Sequence, residues 1–199
     1  MKFLKKINKG VLLSIIVLVC LMTYIVIVEI GRNGQKESIK EACIKYIEFE
    51  NKYSVMPEEY WTAEGKVNKE DYKNEMKTKL KEMMLDNEKI FNQQKSIVEN
   101  KLDCSLMDSI IPLNKNSKSI VVKSYTFDGD QVEVTIENTL EIEQVLLPQD
   151  DIPPIEELNK TKKTEKYNDI ITLKMENGVW KIIYADIETN FAENNRMFF

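Results

Sequence analysis

Apolar residues dominate positions 11–30 of the chain. The stretch "VLLSIIVLVCLMTYIVIVEI" starts at Val11, ends at Ile30 and carries one charge, Glu29, near its outer end. At helical rise, a run of this length reaches about 30 Å, the thickness of a bilayer's hydrocarbon core. It is predicted to be an uncleaved transmembrane anchor. A cleaved signal peptide would have a shorter apolar core followed by a small-x-small site, and "VEIGRNGQK" supplies none. Cys20 sits in "VLVC", without the small residue that a bacterial lipoprotein signal places before its cysteine, and the apolar run continues past it.

Beyond the anchor the apolar period changes to that of an amphipathic helix. "GRNGQK" is predicted to be a short flexible linker over 31–37, with a helix starting near Ser38. Ile39, Ala42, Cys43, Tyr46, Ile47 and Tyr53 recur at threes and fours and so share one face. This helix should end before Pro57, because the residue preceding a proline avoids the helical region. "PEEYWTAEG" then forms a connector or a short helical turn carrying Tyr60 and Trp61. Asn68 is a fitting N-cap, with Glu70 and Asp71 in the first turn where negative charge is favoured. Tyr72, Met76, Leu80 and Met83 or Met84 continue at helical spacing. A further helical stretch carries Ile90, Phe91, Ile97, Val98 and Leu102, either continuous with the previous one or broken near Asp86 and Asn87. These positions hold no seven-residue register, so a coiled coil is rejected. Met76, Met83 and Met84 are assigned to core filling rather than to an adaptable docking surface. Pro112 and "NKNSK" are taken to end the helical half.

The second half alternates with the period of strands. "SIVVKSYTFDGDQVEVTIE" has turn chemistry at Asp128, Gly129 and Asp130. A two-residue hairpin there places Val121, Tyr125 and Phe127 on one face with Val132, Val134 and Ile136. The alternation runs on through Leu140 and Ile142, with a bend expected near Glu137 and Asn138. "PQDDIPPIEELNKTKKTEK" is predicted to be a long exposed connection, its basic stretch from Lys160 to Lys166 a solvated loop. The final stretch "DIITLKMENGVWKIIYADI" folds back at Asn177 and Gly178. With that pair as a two-residue turn, Met175 faces Trp180, Leu173 faces Ile182 and Ile171 faces Tyr184. All six fall on one face, with Lys174 and Lys181 on the other. A sheet with one apolar face must be covered, and the upstream amphipathic helices are the available cover.

Charge adds an orientation. The chain carries 28 basic and 33 acidic residues. Lys2, Lys5, Lys6 and Lys9 precede the anchor, which marks residues 1–10 as a cytoplasmic basic stub. The part beyond the anchor has 24 basic against 32 acidic residues, about −8. That balance argues against a nucleic-acid partner and against a domain lying on anionic lipid. Residues 38–199 are thus expected to form one extracytoplasmic domain.

The chemistry-bearing residue types are sparse. The chain has no histidine, which removes the usual general base near neutral pH and the commonest zinc ligand. No glycine-rich phosphate loop occurs. Asp128 to Asp130 resembles the opening of a calcium loop but lacks the acid and glycine that should follow, with Val132 and Glu133 in their place. Asp150, Asp151, Glu156 and Glu157 are adjacent acids of a proline-rich loop and are assigned to solvent. Cys43 and Cys104 have no diagnostic spacing and are taken as small apolar residues buried separately, pairing in an oxidising compartment being the alternative. The remaining candidates are Tyr46, Tyr53, Trp61, Tyr72, Tyr125, Trp180 and Tyr184, as lining of a cavity between helices and sheet or as ordinary core. No catalytic residue, metal ligand or cofactor is assigned.

The order helix, helix, antiparallel strands, ending in "ITLKMENGVWKI", resembles the NTF2-like superfamily of cone-shaped, cystatin-like α+β domains. Many extracytoplasmic members end on a strand pair of this type, represented here by Asn177, Gly178, Val179, Trp180, Lys181 and Ile182. The resemblance covers roughly residues 37–193, and its specific part is that one hairpin. It implies helices packed on a curved antiparallel sheet. Membrane-anchored members include VirB8-like components of conjugation and secretion machines and the domain at the base of some penicillin-binding proteins, where the fold is a scaffold or spacer. The very short cytoplasmic stretch departs from many VirB8-like proteins. Enzymatic members place Asp, His or Tyr inside the cone. The expected function is a membrane-anchored scaffold or protein-interaction domain of a secretion, conjugation or cell-envelope assembly. Its partners would be membrane or envelope proteins or a second copy of itself. The alternatives are a small-ligand or lipid-binding cone and an enzyme using acid and Tyr residues.

Overall fold

A computed structural model describes residues 9–62, 66–107, 109–147 and 155–188. The chain divides into two compact units, 1–39 and 40–199. Helix α1 (Lys9–Tyr53) contributes to both.

In the first unit, the helix carries the apolar run. No residue from Val11 to Ile30 is buried, and the segment is long and apolar enough to cross a membrane. Its two hydroxyl side chains bond back within the helix, Ser14 Oγ to the Gly10 carbonyl (3.0 Å) and Thr23 Oγ1 to the Val19 carbonyl (2.8 Å). In lipid such internal pairing matters, because no water is present to satisfy a polar group. The expected linker over 31–37 is helical instead. Gly31 and Gly34 each cost about 1 kcal/mol in a helix interior. Propagation from the long helical stretches on either side, with no proline between them, outweighs that cost.

The second unit is α+β. α1 ends at Tyr53, followed by a 3-10 turn Glu58–Tyr60. α2 (Lys69–Met83) is capped by Asn68, whose side chain accepts from the backbone N–H groups of Glu70 (2.8 Å) and Asp71 (3.4 Å). α3 (Glu88–Ser105) has its own cap, Asn87, accepting from the Ile90 N–H at 3.1 Å, so the helices break where that asparagine allows. Four strands follow in a meander of order β1-β2-β3-β4, all antiparallel: β1 (Ile110–Asp128), β2 (Gln131–Leu146), β3 (Lys160–Glu176) and β4 (Val179–Asp186). The covered face holds Val132, Val134, Ile136, Leu140 and Ile142 of β2, Tyr167, Ile171 and Leu173 of β3, and Trp180, Ile182 and Ala185 of β4. Among the helical residues buried with them are Cys43, Tyr46, Ile47 and Tyr53 of α1, Tyr72, Met76 and Leu80 of α2, and Val98 and Leu102 of α3. Ile111, Leu113, Val145 and Ile155 form a separate small core, with Trp61 packed on it.

Both tight turns use the predicted residues. Asn177 (φ 50°) and Gly178 (φ 80°) make the doubly positive turn whose twist matches a hairpin, and Gly129 (φ 60°) opens the other. Glu176 pairs with Val179, Met175 with Trp180 and Leu173 with Ile182, as expected. A register shift between Thr172 and Leu173 then pairs Ile171 with Ala185, not Tyr184. Tyr184 turns outward, 40% exposed, and Ala185 takes the inner position. In β1 a similar shift between Val122 and Ser124 leaves Val121 exposed rather than on the covered face. β2 runs unbroken past Glu137 and Asn138, and the irregularities fall on its β1 partner.

Two segments assigned to loops are strands. β1 begins at Ile110 and includes Pro112 and the polar run after it. β1 is an edge, where a missing N–H on the open side costs nothing, and a register shift follows Pro112. Lys160 to Lys166 belong to β3. Their lysines face acids across the sheet: Lys162 approaches Glu141 (3.7 Å) and Glu143 (4.0 Å), while β1 supplies Lys118 to Glu141 (3.0 Å) and Lys123 to Glu137 (3.2 Å). Opposite charges across strands favour the pairing that proline-rich flanks conceal. Asp150 and Asp151 lie outside the described residues, while Glu157 is exposed on a 3-10 turn, Ile155–Glu157.

Trp180 is 7% exposed, and the neighbouring Lys181 points to the rim, donating to the Glu82 carbonyl at 2.6 Å. Trp180→Ala should therefore cost about 3–5 kcal/mol of stability. Tyr184→Ala and Lys181→Ala should cost no more than about 1 kcal/mol each. Denaturant unfolding of the three variants checks the register, and equal losses at Trp180 and Tyr184 would contradict the bulge.

Candidate functional site

The face of α1 that packs on the sheet is apolar at Cys43, Tyr46, Ile47 and Tyr53, but Glu50 falls in the same line and is 1% exposed. α3 repeats the device. Gln94 sits between Ile90 and Val98 at four-residue spacing and is buried. β2 places Asn138 between Ile136 and Leu140, and β3 places Asp169 between Tyr167 and Ile171, both fully buried. Each is a polar residue at a core-facing position of an otherwise apolar period, and four of the elements converge through them.

Hydrogen bonds and ion pairs tie these groups to neighbouring elements, and electrostatic coupling links Tyr46 to Glu50, Glu50 to Asp169 and Asp169 to Asn138. Gln94 Nε2 donates to Tyr46 Oη (2.7 Å) and to the Ala185 carbonyl (3.1 Å), fixing α3 to α1 and β4. Lys101 of α3 forms an ion pair with Glu50 and donates to the Ile187 carbonyl at 2.8 Å. Asp169 Oδ1 accepts from the Glu188 backbone N–H at 2.9 Å. Glu188 reaches Lys115 of β1 with both carboxylate oxygens, at 2.7 and 2.9 Å. Glu188 has φ 65°, a left-handed conformation unusual for a residue of its size. These three contacts hold the chain just past β4. Glu50 Oε2, Asp169 Oδ2 and both side-chain polar atoms of Asn138 are buried, and the Asn138 side chain favours the charged form of Asp169.

Burial dominates the electrostatics. Desolvation pushes the Asp169 carboxyl up from 3.8 to about 6, against the Glu188 amide, which favours its charged form. Glu50 is also raised by burial, with Lys101 opposing. Burial works against the Lys101 ammonium, but Glu50, Glu188 and Asp169 outweigh it and leave its pKa raised. Burial lifts Tyr46 well above the usual tyrosine range. The raised carboxyl of Asp169 is enclosed, with one oxygen held by the Glu188 N–H.

The seven sequence candidates do not share one cavity. Tyr46 is fully buried in the network, and Trp180 is core. Phe49 lies tilted between Tyr46 and Tyr53, centroids 5.8 and 4.9 Å away, and Tyr53 continues to Tyr72 at 5.1 Å. Tyr72 Oη donates to the Lys52 carbonyl at 2.6 Å. Trp61 packs on the small core, Tyr125 lies against Phe127 on β1, and Tyr184 is exposed. Cys43 is buried, and burial pushes its thiol up to about 12. Cys104 is exposed rather than buried, and neither forms a disulfide. Among the described residues no cluster of His, Cys, Asp and Glu could hold a metal ion.

A cavity of about 750 Å³ opens between the end of α1, the start of α2 and β1. Tyr72 is the one sequence candidate that lines it. Its polar lining includes Asn51, Lys52, Asp71, Lys115 and Ser117, and its apolar lining includes Leu113 and Ile120.

No protein-family model matches the chain, and no curated protein matches its sequence. Among solved structures it is similar to the intermembrane space region of the chloroplast protein ARC6, at 8% identity and a TM-score of 0.44, over 77% of this chain and 96% of that one. It is also similar to an Ntf2-like protein involved in plasmid conjugation, at 6% identity and a TM-score of 0.34, over 59% of this chain and 43% of that one.

The folded-state pKa of Asp169 lies above its unfolded value. Its contribution is therefore most favourable below pH 3.8, is lost as pH rises to about 6, and is flat above that. The loss is about 3 kcal/mol. Asp169→Asn keeps the acceptor for the Glu188 N–H and removes the charge. The difference in unfolding free energy between wild type and variant should shift by about that amount between pH 4 and pH 7. A pH-independent difference would show that Asp169 is not desolvated.

Proposed function

We propose that this chain is a single-pass membrane protein with a cytoplasmic N-terminus and an external α+β domain that serves as a scaffold or protein-interaction module, not as a catalyst. The observation that carries this reading is the apolar segment itself. Twenty residues of it are left unburied, while the 40–199 unit fills its own core with Tyr46, Met76, Leu80, Leu102, Ile136 and Leu173. The segment has no role inside the fold and suits a bilayer. Tethering raises the effective concentration of the domain for neighbours on the same membrane, which favours a scaffold more than a catalyst of soluble substrates. Glu50 and Glu188 are paired with Lys101 and Lys115, a structural use of interior charge that suits this reading. The NTF2-like resemblance of the hairpin extends the proposal to a component of a secretion, conjugation or cell-envelope assembly, of which VirB8-like proteins are one form.

The cavity beside β1 favours a second reading, the binding of a small ligand. Its lining mixes lysines, carboxylates and amides with Val55, Val67, Leu113 and Ile120, which suits an amphipathic ligand.

Cys104 is exposed and serves as a natural probe of orientation. A membrane-impermeant maleimide applied to intact cells should label it, and should not label a cysteine introduced as Phe3→Cys. The opposite pattern would reverse the topology.

Crosslinking in intact cells should capture membrane or envelope proteins or a second copy of the chain, and exchange of residues 11–30 for an unrelated anchor should preserve much of that capture. The full chain in nanodiscs should show no turnover of generic ester, phosphate or peptide substrates. Turnover abolished by Glu50→Gln or Asp169→Asn would replace this reading with an enzyme.

A further inference from the structure

A four-strand sheet has two edges, and this one treats them differently. At β4 the chain caps its own edge. Met84 makes a parallel bridge to Ile182, the Leu85 N–H donates to the Ile182 carbonyl at 3.0 Å, and Lys181 reaches the Glu82 carbonyl. At β1 the outer edge instead borders the 750 Å³ cavity, which Leu113, Asn114, Lys115, Asn116, Ser117 and Ile120 line from the strand side. An edge strand leaves alternate backbone N–H and C=O groups unpaired within its sheet, a template for an added strand. Register shifts fall between Pro112 and Asn114 and between Ser117 and Ser119, so the regular stretch that carries Asn114, Lys115, Asn116 and Ser117 of the lining is four residues long. Bulges on both sides limit what can pair there to a short segment and work against the long, flat edge-to-edge pairing that a second copy would need.

Two further features of the cavity point to a ligand. Asn51 is 4% exposed and lines the cavity; its Nδ2 donates to Ser117 Oγ at 3.0 Å, and its Oδ1 is buried without a partner. An orphaned buried acceptor is costly unless a donor arrives. The charges on the lining are also unequally satisfied. Lys52 is paired with Glu75, Lys115 with Glu188, and Lys66 is engaged as well. The lining carries three acids and three lysines, and Glu48 and Asp71 make no ion pair among the described residues, which leaves two carboxylates available to an incoming cation.

We propose that this cavity is the docking site for a short extended peptide segment of a partner protein, added as a strand to the free edge of β1 over 114–117 and bearing basic side chains that meet Glu48 and Asp71. The proposal rests on the protein-interaction reading above and names the chemistry of the partner. Backbone pairing to β1 supplies affinity, and the two available carboxylates select the sequence.

The test uses the full chain in nanodiscs of phosphatidylcholine, whose neutral surface does not itself attract lysines. The probe is a pool of N-acetylated octapeptides with lysine at alternate positions and mixed valine, threonine and isoleucine between. A second pool has glutamate in place of lysine, and a third is the lysine pool N-methylated at alternate backbone nitrogens. The lysine pool should bind at least tenfold tighter than either of the others and should slow amide exchange at 114–117. The near-isosteric pair Glu48→Gln with Asp71→Asn should reduce the lysine preference about fivefold, and Glu48→Gln alone, which leaves the first turn of α2 intact, should lower it without altering the thermal unfolding curve. Equal binding of the N-methylated pool, equal binding of the glutamate pool, or protection of 114–117 only through self-association at rising protein concentration would each overturn it. A photo-crosslinker at Asn116 and another at the exposed Val179 separate the two readings in cells. Adducts only from Val179 would sink the β1 site and leave the scaffold standing, whereas adducts from neither would remove both.

Discussion

The sheet's single apolar face is the constraint on which the domain depends. Along β2 every even position from Val132 to Ile142 turns inward, and along β3 the odd positions from Tyr167 to Leu173 do the same. An uncovered face of that size would aggregate or collapse, so the amphipathic stripes of α1, α2 and α3 have a place to go, and the fold class follows from that requirement. The register of the two hairpins is part of the same constraint. A slip of one residue at Asn177 and Gly178 would move the inner set of that strand pair to solvent.

Inside that apolar layer lies a polar network, and it carries specificity of a kind that apolar packing lacks. Glu50, Gln94, Asn138 and Asp169 each occupy a core position, and Lys101 and Lys115 bring compensating charge from α3 and β1. Such pairs add little net stability compared with apolar residues of the same volume, but breaking one leaves an uncompensated buried charge. The consequence is geometric. The chain leaving β4 is held at Ile187 and Glu188 by Lys101, Asp169 and Lys115, so the two residues past the strand's end are tied to three elements.

The domain's charge has two distinct roles. Across the sheet, lysines of β1 and β3 stand against the acids of β2 and make strands of segments whose composition is that of a loop. Around the cavity beside β1, the same kinds of side chain are unevenly paired and leave Glu48 and Asp71 available. These exposed pairs are individually worth about 0–1 kcal/mol. Their importance lies in selecting partners and register rather than in stability.

The sequence by itself determined the elements whose signal is local. The anchor is an uninterrupted apolar run, the caps Asn68 and Asn87 lie next to the helices they start, and Asn177 with Gly178 dictates a hairpin through backbone conformation alone. Even the polar network left a trace, as polar residues on apolar periods at Glu50, Gln94, Asn138 and Asp169, although the aromatic residues drew attention instead. Tertiary structure decided what depends on partners distant in the chain. Pro112 and the lysines from Lys160 to Lys166 are strand because β2 lies beside them, a neighbour that no local window contains. The bulge that exchanges Tyr184 for Ala185 at the inner position comes from packing, since both patterns satisfy the turn equally well. The cavity exists only because α1, α2 and the edge of β1 meet, and Asn51 and Ser117, 66 positions apart, become neighbours there. Local propensity fixes which segments form helices, strands and turns; side-chain volume and charge, summed over distant segments, fix how they pair.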